Sequence, residues 1–155
     1  MTYKLRPYQE EAVKASVEFL QTKSIANGLV ICPTGSGKSV IIAEIAFRMN
    51  QNVLVLCPSK EITEQNYSKM KTYTDECSMY SASVGVKEIS KVTFATIGSI
   101  RTKPEEFKAF RIIIVDEAHT VNAKGGMYKD FFLKIGARIS PPHHTGLCPH
   151  ASTPC

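Results

Sequence analysis

Gly28-Leu29-Val30-Ile31-Cys32-Pro33-Thr34-Gly35-Ser36-Gly37-Lys38-Ser39 decides how the rest of the chain is read. A strand-favouring apolar run enters a turn with two glycines, and the turn enters a segment of helical periodicity. Strand, glycine-rich loop and helix in that order make a phosphate loop. Gly35 and Gly37 let the backbone wrap closely round phosphate oxygens, so that successive N–H groups converge on them. A helix starting near Gly37 adds the positive end of its dipole. Pro33, Thr34 and Ser36 complete the loop, Lys38 brings a point charge to the outer phosphates, and the Ser39 hydroxyl is a ligand for Mg²⁺. Cys32 stands where the consensus has its first glycine.

A phosphate loop needs a metal carboxylate, ideally at the end of a neighbouring strand. Arg111-Ile112-Ile113-Ile114-Val115 runs directly into Asp116-Glu117-Ala118-His119. Asp116 is placed to hold Mg²⁺, and Glu117 to orient and deprotonate an attacking water. Taken alone, two acids after a strand are also what a helix start favours. The phosphate loop is what tips the reading towards chemistry.

Working outward, the runs Gly28–Cys32, Val53–Cys57, Val92–Thr96 and Arg111–Val115 share one character. They are rich in β-branched residues and do not alternate, as expected of strands covered on both faces of a parallel sheet. Helices are expected between them, over Arg6–Gln21, Gly37–Asn50 and Ser59–Tyr73. Val40, Ile41, Ile45 and Met49 form one apolar stripe, Pro7 is tolerated in a first turn, and Ser59 is a suitable N-cap. The alternation predicts an α/β fold with a mostly parallel sheet flanked by helices.

Composition is that of an ordinary globular protein, with 43% hydrophobic and 21% charged residues. No stretch approaches the roughly 18 apolar residues of a membrane span, and residues 1–7 have no apolar export signal. A net charge of +5 suits a polyanionic partner without proving one. Cys32 and Cys57 end apolar runs and read as small buried residues, so a reducing, cytoplasmic compartment is expected.

Val115–His119 resembles motif II of superfamily 2 helicases of the DEAD/DEAH-box type, and Pro33–Ser39 resembles their motif I. The resemblance extends over nearly all of residues 3–138 and implies a RecA-like ATP-binding lobe, the first of two. Leu5-Arg6-Pro7-Tyr8-Gln9 resembles the adenine-recognition segment of the XPB-like, type III restriction-type and phage helicase branch. It implies that Gln9 meets the adenine edge, with Arg6 and Tyr8 shaping the base pocket; by itself the segment is simply an amphipathic helix start. His119 is assigned to the nucleotide site by the same resemblance, and catalysis falls to Lys38 and Glu117. Pro58-Ser59-Lys60 resembles the start of motif Ia, which holds the nucleic-acid backbone. A helix N-terminus with a lysine suits phosphate independently, although Lys60 lacks the bidentate fork of the arginine found in many relatives. Thr96-Ile97-Gly98-Ser99 resembles the next backbone-contacting motif, with Thr96 and Ser99 as donors; it also fits an ordinary turn. None of these contacts would read base sequence. DNA rather than RNA, in a bacterial or phage-infected cell, follows from the branch resembled.

Residues 139–155 break with the rest. They contain no Lys, Arg, Asp or Glu, and they collect Pro141, Pro142, Pro149 and Pro154 with His143, His144 and His150. The chain is therefore divided into a lobe over 1–138 and an atypical, irregular tail over 139–155. Ala151-Ser152-Thr153-Pro154 is an imperfect echo of motif III, and a truncated or frame-shifted gene product would explain the mismatch. A metal site from His143, His144, Cys148, His150 and Cys155 matches no zinc template. With no second lobe after His119, the chain is expected to bind Mg·ATP and the nucleic-acid backbone but to hydrolyse ATP poorly alone. A non-catalytic nucleotide- or DNA-binding fragment is the alternative. A P-loop kinase or transporter ATPase would need a lid or signature segment that is missing here, and would not need the Gln9 segment.

Overall fold

A computed structural model describes residues 3–22, 27–83, 85–121 and 126–137. The elements are α1 (Pro7–Gln21), α2 (Lys38–Met49), β1 (Val53–Cys57), α3 (Lys60–Met70), β2 (Cys77–Ser81), β3 (Val86–Lys87), β4 (Val92–Thr96), α4 (Ile97–Ile100), β5 (Ile112–Val115) and α5 (Met127–Lys134). Short 3₁₀ turns at Pro104–Phe107 and Ala118–Thr120 complete them.

The strands form a five-stranded sheet in the order β3-β2-β4-β1-β5. All neighbours are parallel except β2 and β3, which pair antiparallel through Tyr80↔Lys87 and Ser81↔Val86. β1 is the spine, with Val55 in register with Phe94 on one side and Ile114 on the other. Its side chains alternate between faces, as the period of two requires. Val53, Val55 and Cys57 join a core with Val13, Ile41, Ile45, Met49 and Phe94, under helices α1, α2 and α3. Leu54 and Leu56 join the opposite core with Tyr80, Ile100, Phe107, Phe131 and Phe132. Both faces are covered, which is why the run shows no alternation in sequence.

The helices begin where local chemistry permits. Pro7 takes the first position of α1, where a missing N–H costs nothing. Ser59 caps α3, its Oγ accepting from the Ile62 amide at 3.4 Å. α3 ends at Met70, short of Tyr73, and the chain leaves it through turns.

One expected strand does not form. Gly28 makes a lone β-bridge, and Leu29 to Cys32 pair with no strand. Val30 is 50% and Ile31 73% exposed. Strand propensity expresses packing against neighbours more than an intrinsic backbone preference. Among the described residues β5 closes this edge of the sheet and nothing flanks it, so the run lacks a second neighbour and a covering layer. Ile113, Ile114 and Val115 are only half-buried for the same reason. The tail over 139–155 and its boundary lie outside the described residues.

Candidate active site

β1, β4 and β5 are parallel and in register, so Cys57, Thr96 and Val115 end together at one edge of the sheet. The segments that follow them emerge side by side. Pro58–Lys60 lies in the middle, Thr96–Ser99 on one flank and Asp116-Glu117 on the other. Ligands of open α/β sheets gather at this carboxyl edge.

Gly35 and Gly37 adopt φ of +77° and +79°, conformations that favour glycine. Gly37 also meets α1 closely: a Cβ there would lie 2.6 Å from Gln9 Nε2. The loop between is a tight turn, with the Ser36 amide donating to the Pro33 carbonyl at 3.2 Å. Pro33, Thr34 and Gly35 are exposed, Ser36 is buried, and Lys38 and Ser39 open α2 at the loop's exit.

Lys38 Nζ lies 2.6 Å from Glu117 Oε1, although the two residues stand 79 apart in sequence. The hydrogen bond to Glu117 raises the Lys38 ammonium above its ordinary value, and the hydrogen bond from Lys38 lowers the Glu117 carboxyl. Both are therefore charged at neutral pH. Glu117 has φ +54°, the left-handed region that a non-glycine residue enters at a cost of roughly 1–2 kcal/mol. Such strain is commonest where a side chain must be aimed. His119 Nδ1 stands 3.3 Å from Glu117 Oε2, with most of its surface exposed.

Asp116 is 7% exposed. Its Oδ1 accepts from the Glu117 amide at 2.9 Å, and its Oδ2 accepts from Asn66 Nδ2 at 2.9 Å. Asn66 lies on α3, fully buried, and nothing in the sequence singles it out. Only the inward spacing Thr63, Asn66, Met70 hints that it turns towards the sheet.

Gln9 is buried and doubly engaged. Its Oε1 accepts from the Arg6 amide at 2.9 Å, and its Nε2 donates to the Ser36 carbonyl at 2.7 Å. Tyr8 donates to the same carbonyl at 3.0 Å, while Arg6 Nη1 reaches the Tyr8 hydroxyl at 3.4 Å. The opening segment thus sits directly on the phosphate loop. Arg48 of α2 holds α1 there with a bidentate pair to Glu10 at 2.7 Å and a third bond to Glu44.

In the middle of the edge, Pro58 and Lys60 are exposed, and Lys60 makes a loose contact with Glu64 at 3.8 Å. Thr96 Oγ1 and Ser99 Oγ bond each other at 2.8 Å, and Ser99 Oγ also accepts from the Ala82 amide. Those two hydroxyls serve the turn first; Gly98 between them faces open space.

Residues 2–142 match the family model described as "Type III restriction enzyme, res subunit". The chain belongs to this family. It is a first RecA-like lobe of the superfamily 2 helicase type. Over 125 residues it is 30% identical to the DNA 3'-5' translocase XPB2 of Sulfurisphaera tokodaii, covering 78% of this chain and 26% of that protein. It is 34% identical over 71 residues to UvrABC system protein B of Photorhabdus laumondii, covering 46% of this chain and 10% of that protein. In fold it resembles the UvsW helicase of bacteriophage T4, with a TM-score of 0.66 at 18% identity over 86% of this chain and 49% of the other. A hypothetical ATP-dependent RNA helicase from Sulfolobus tokodaii gives 0.56 at 19% identity, over 83% and 47%. The lobe thus spans about half the length of these solved chains and a smaller share of the sequence relatives. No described helix is long and apolar enough to cross a membrane.

Proposed function

We propose that this lobe binds Mg·ATP in the Pro33–Ser39 loop and serves an ATP-dependent DNA translocase or helicase. The observation that carries the reading is the meeting of Lys38 with Glu117 at the carboxyl edge of the sheet. A phosphate-loop lysine and a strand-end carboxylate, remote in sequence, converge where a nucleotide's outer phosphates would lie.

The residues suit the ligands. Ser39 and Asp116 are oxygen donors of the kind a hard cation takes. Ser36 Oγ is buried without a partner, an unspent polar group inside the loop. Magnesium, when bound, would neutralise charge on the phosphates. Lys38 must exchange Glu117 for phosphate oxygen, which releases the carboxylate to orient water and accept its proton. Gln9 is assigned to the adenine edge, and its hydrogen bond to the Ser36 carbonyl, which keeps it beside the loop, supports that reading. His119 lies beside Glu117, on the same side of the site.

The nucleic-acid backbone is assigned to Pro58, Ser59 and Lys60 and to the Thr96–Ser99 turn, with DNA preferred over RNA. The support is their adjacency at one sheet edge and the DNA translocase named among the relatives. Fast hydrolysis requires a second RecA-like lobe, in cis or in trans, to place positive charge on the transferring phosphoryl group. The compartment proposed, from the family branch resembled, is the cytoplasm of a bacterial or phage-infected cell. The division at residue 138 is kept as part of this proposal.

Two measurements test it. A fluorescent ATP analogue should bind the chain, and Lys38→Ala should abolish that binding while the far-UV spectrum stays unchanged; unaltered affinity would remove the phosphate-loop assignment. Hydrolysis should be slow for the chain alone and should respond to single- or double-stranded DNA once a second lobe is present. A lobe that binds nucleotide but gains no turnover in the reconstituted pair would favour the non-catalytic alternative.

A further inference from the structure

Asn66 stands out among the buried polar groups that the nucleotide site does not already explain. It is 0% exposed, and its Nδ2 divides itself between Asp116 Oδ2 at 2.9 Å and Cys57 Sγ at 3.4 Å. Its Oδ1 is buried with no partner at all. Exchanging the amide's oxygen and nitrogen would not repair this, because an oxygen would then face the Asp116 carboxylate. A buried amide with half its capacity unmet is a poor choice for stability, since an apolar residue of the same shape would be no worse. What the amide does supply is a fixed donor to the metal carboxylate.

The geometry makes that donor more than a prop. Asp116 is held by two donors, one on each carboxylate oxygen. One is the Glu117 amide of its own turn, and the other comes from α3. α3 is also the helix whose start carries Ser59 and Lys60, in the middle of the sheet edge and next to the strand that leads into Asp116. Any displacement of α3 therefore reaches Asp116 through one side-chain bond.

We propose that Asn66 is a positioning residue that sets the orientation of Asp116 for Mg²⁺ and makes metal binding responsive to nucleic acid held at the start of α3. This rests on the Mg·ATP and backbone-binding reading above and names how the two sites are joined. Donors that orient metal-ligating carboxylates are worth about 10–100-fold in metal affinity.

The test is binding of a fluorescent ATP analogue across a Mg²⁺ titration, with and without an oligo-dT strand. The wild-type chain should show tighter nucleotide binding with Mg²⁺, and oligo-dT should shift the Mg²⁺ midpoint. In Asn66→Leu, which matches the side chain in size, the midpoint should rise about tenfold. Affinity measured in EDTA should hold, and the oligo-dT shift should vanish. Should Leu at this position prevent folding, as judged by circular dichroism, Asn66→Ala removes the donor likewise and carries the same expectation. An unchanged midpoint with a normal Mg²⁺ response overturns the assignment. So does an equal loss of affinity with and without Mg²⁺, which would mark a structural role, and so does an oligo-dT shift that survives the substitution. Absence of any Mg²⁺ response in the wild-type chain would instead overturn the Mg·ATP reading on which the inference stands.

Discussion

Val53–Cys57 and Gly28–Cys32 are built from the same kinds of residue, and each delivers the chain to a loop of the candidate site. The first is β1, in register with β4 and β5 and buried along its whole length. The second makes one bridge at Gly28 and leaves Val30 and Ile31 largely to solvent. Composition is therefore not the difference; neighbours are. A consequence follows for the two loops. The one after β1 is positioned by the sheet, whereas the phosphate loop is held by side chains that reach it from elsewhere. Gln9 and Tyr8 grip its Ser36 carbonyl, and Glu117 grips Lys38 at its exit.

The largest test of this contrast is in the spine. Leu54→Ala removes a fully buried side chain from the core it shares with Tyr80 and Phe131. Truncations of this kind cost about 2–5 kcal/mol, depending on how far the site collapses. Against a total stability of about 5–15 kcal/mol, the denaturation midpoint should drop sharply. A loss below about 1 kcal/mol would mean that β1 is not the packed centre described here.

A smaller effect tests the side-chain grip on the phosphate loop. Glu117→Gln removes the charge that occupies Lys38, so nucleotide should bind more tightly, by up to about fivefold, the ceiling set by an exposed ion pair. Hydrolysis in the reconstituted two-lobe system should disappear in the same variant, because glutamine cannot accept the proton. Weaker nucleotide binding would show that Glu117 supports the loop and does not compete for its lysine. Titration with the analogue near neutral pH, where Lys38 and Glu117 are both charged, separates the two.

How much of this was legible in the sequence depends on whether a residue's role is local. α2 matches its expected span because the stripe of Ile41, Ile45 and Met49 is set by helical geometry alone. β4 matches the run Val92–Thr96. β2 is not legible in the sequence, because Cys77-Ser78-Met79-Tyr80-Ser81 has no β-branched residue. It is buried all the same, Ser78 being satisfied by the Glu88 carbonyl at 2.9 Å. α5 has no clear sequence signal either, and it covers the second face through Tyr128, Phe131 and Phe132. In the candidate site, Lys38 is legible from the glycine-rich loop, Asp116 and Glu117 from abutting an apolar run, and Gln9 from family resemblance. Asn66 could not, because a lone polar residue in a helix has no meaning until the fold sets it beside Asp116.

The smallest expected effect is the most exacting for the comparison. Ile31→Ser replaces an apolar side chain that is 73% exposed, so little buried area is lost. The change should move the stability of the isolated chain by no more than about 0.5 kcal/mol, as for surface substitutions generally. Leu54→Ala and Ile31→Ser measured side by side then form a pair in which similar residues give very different losses. Should Ile31→Ser cost as much as the core truncation, the run must pack in solution, and the unflanked side of β5 is the place that could take it. The phosphate loop would then hang from a sixth strand, its anchorage would be the sheet after all, and the grip of Gln9, Tyr8 and Glu117 would become secondary. A near-zero loss leaves those three side chains as the features that hold the loop in place.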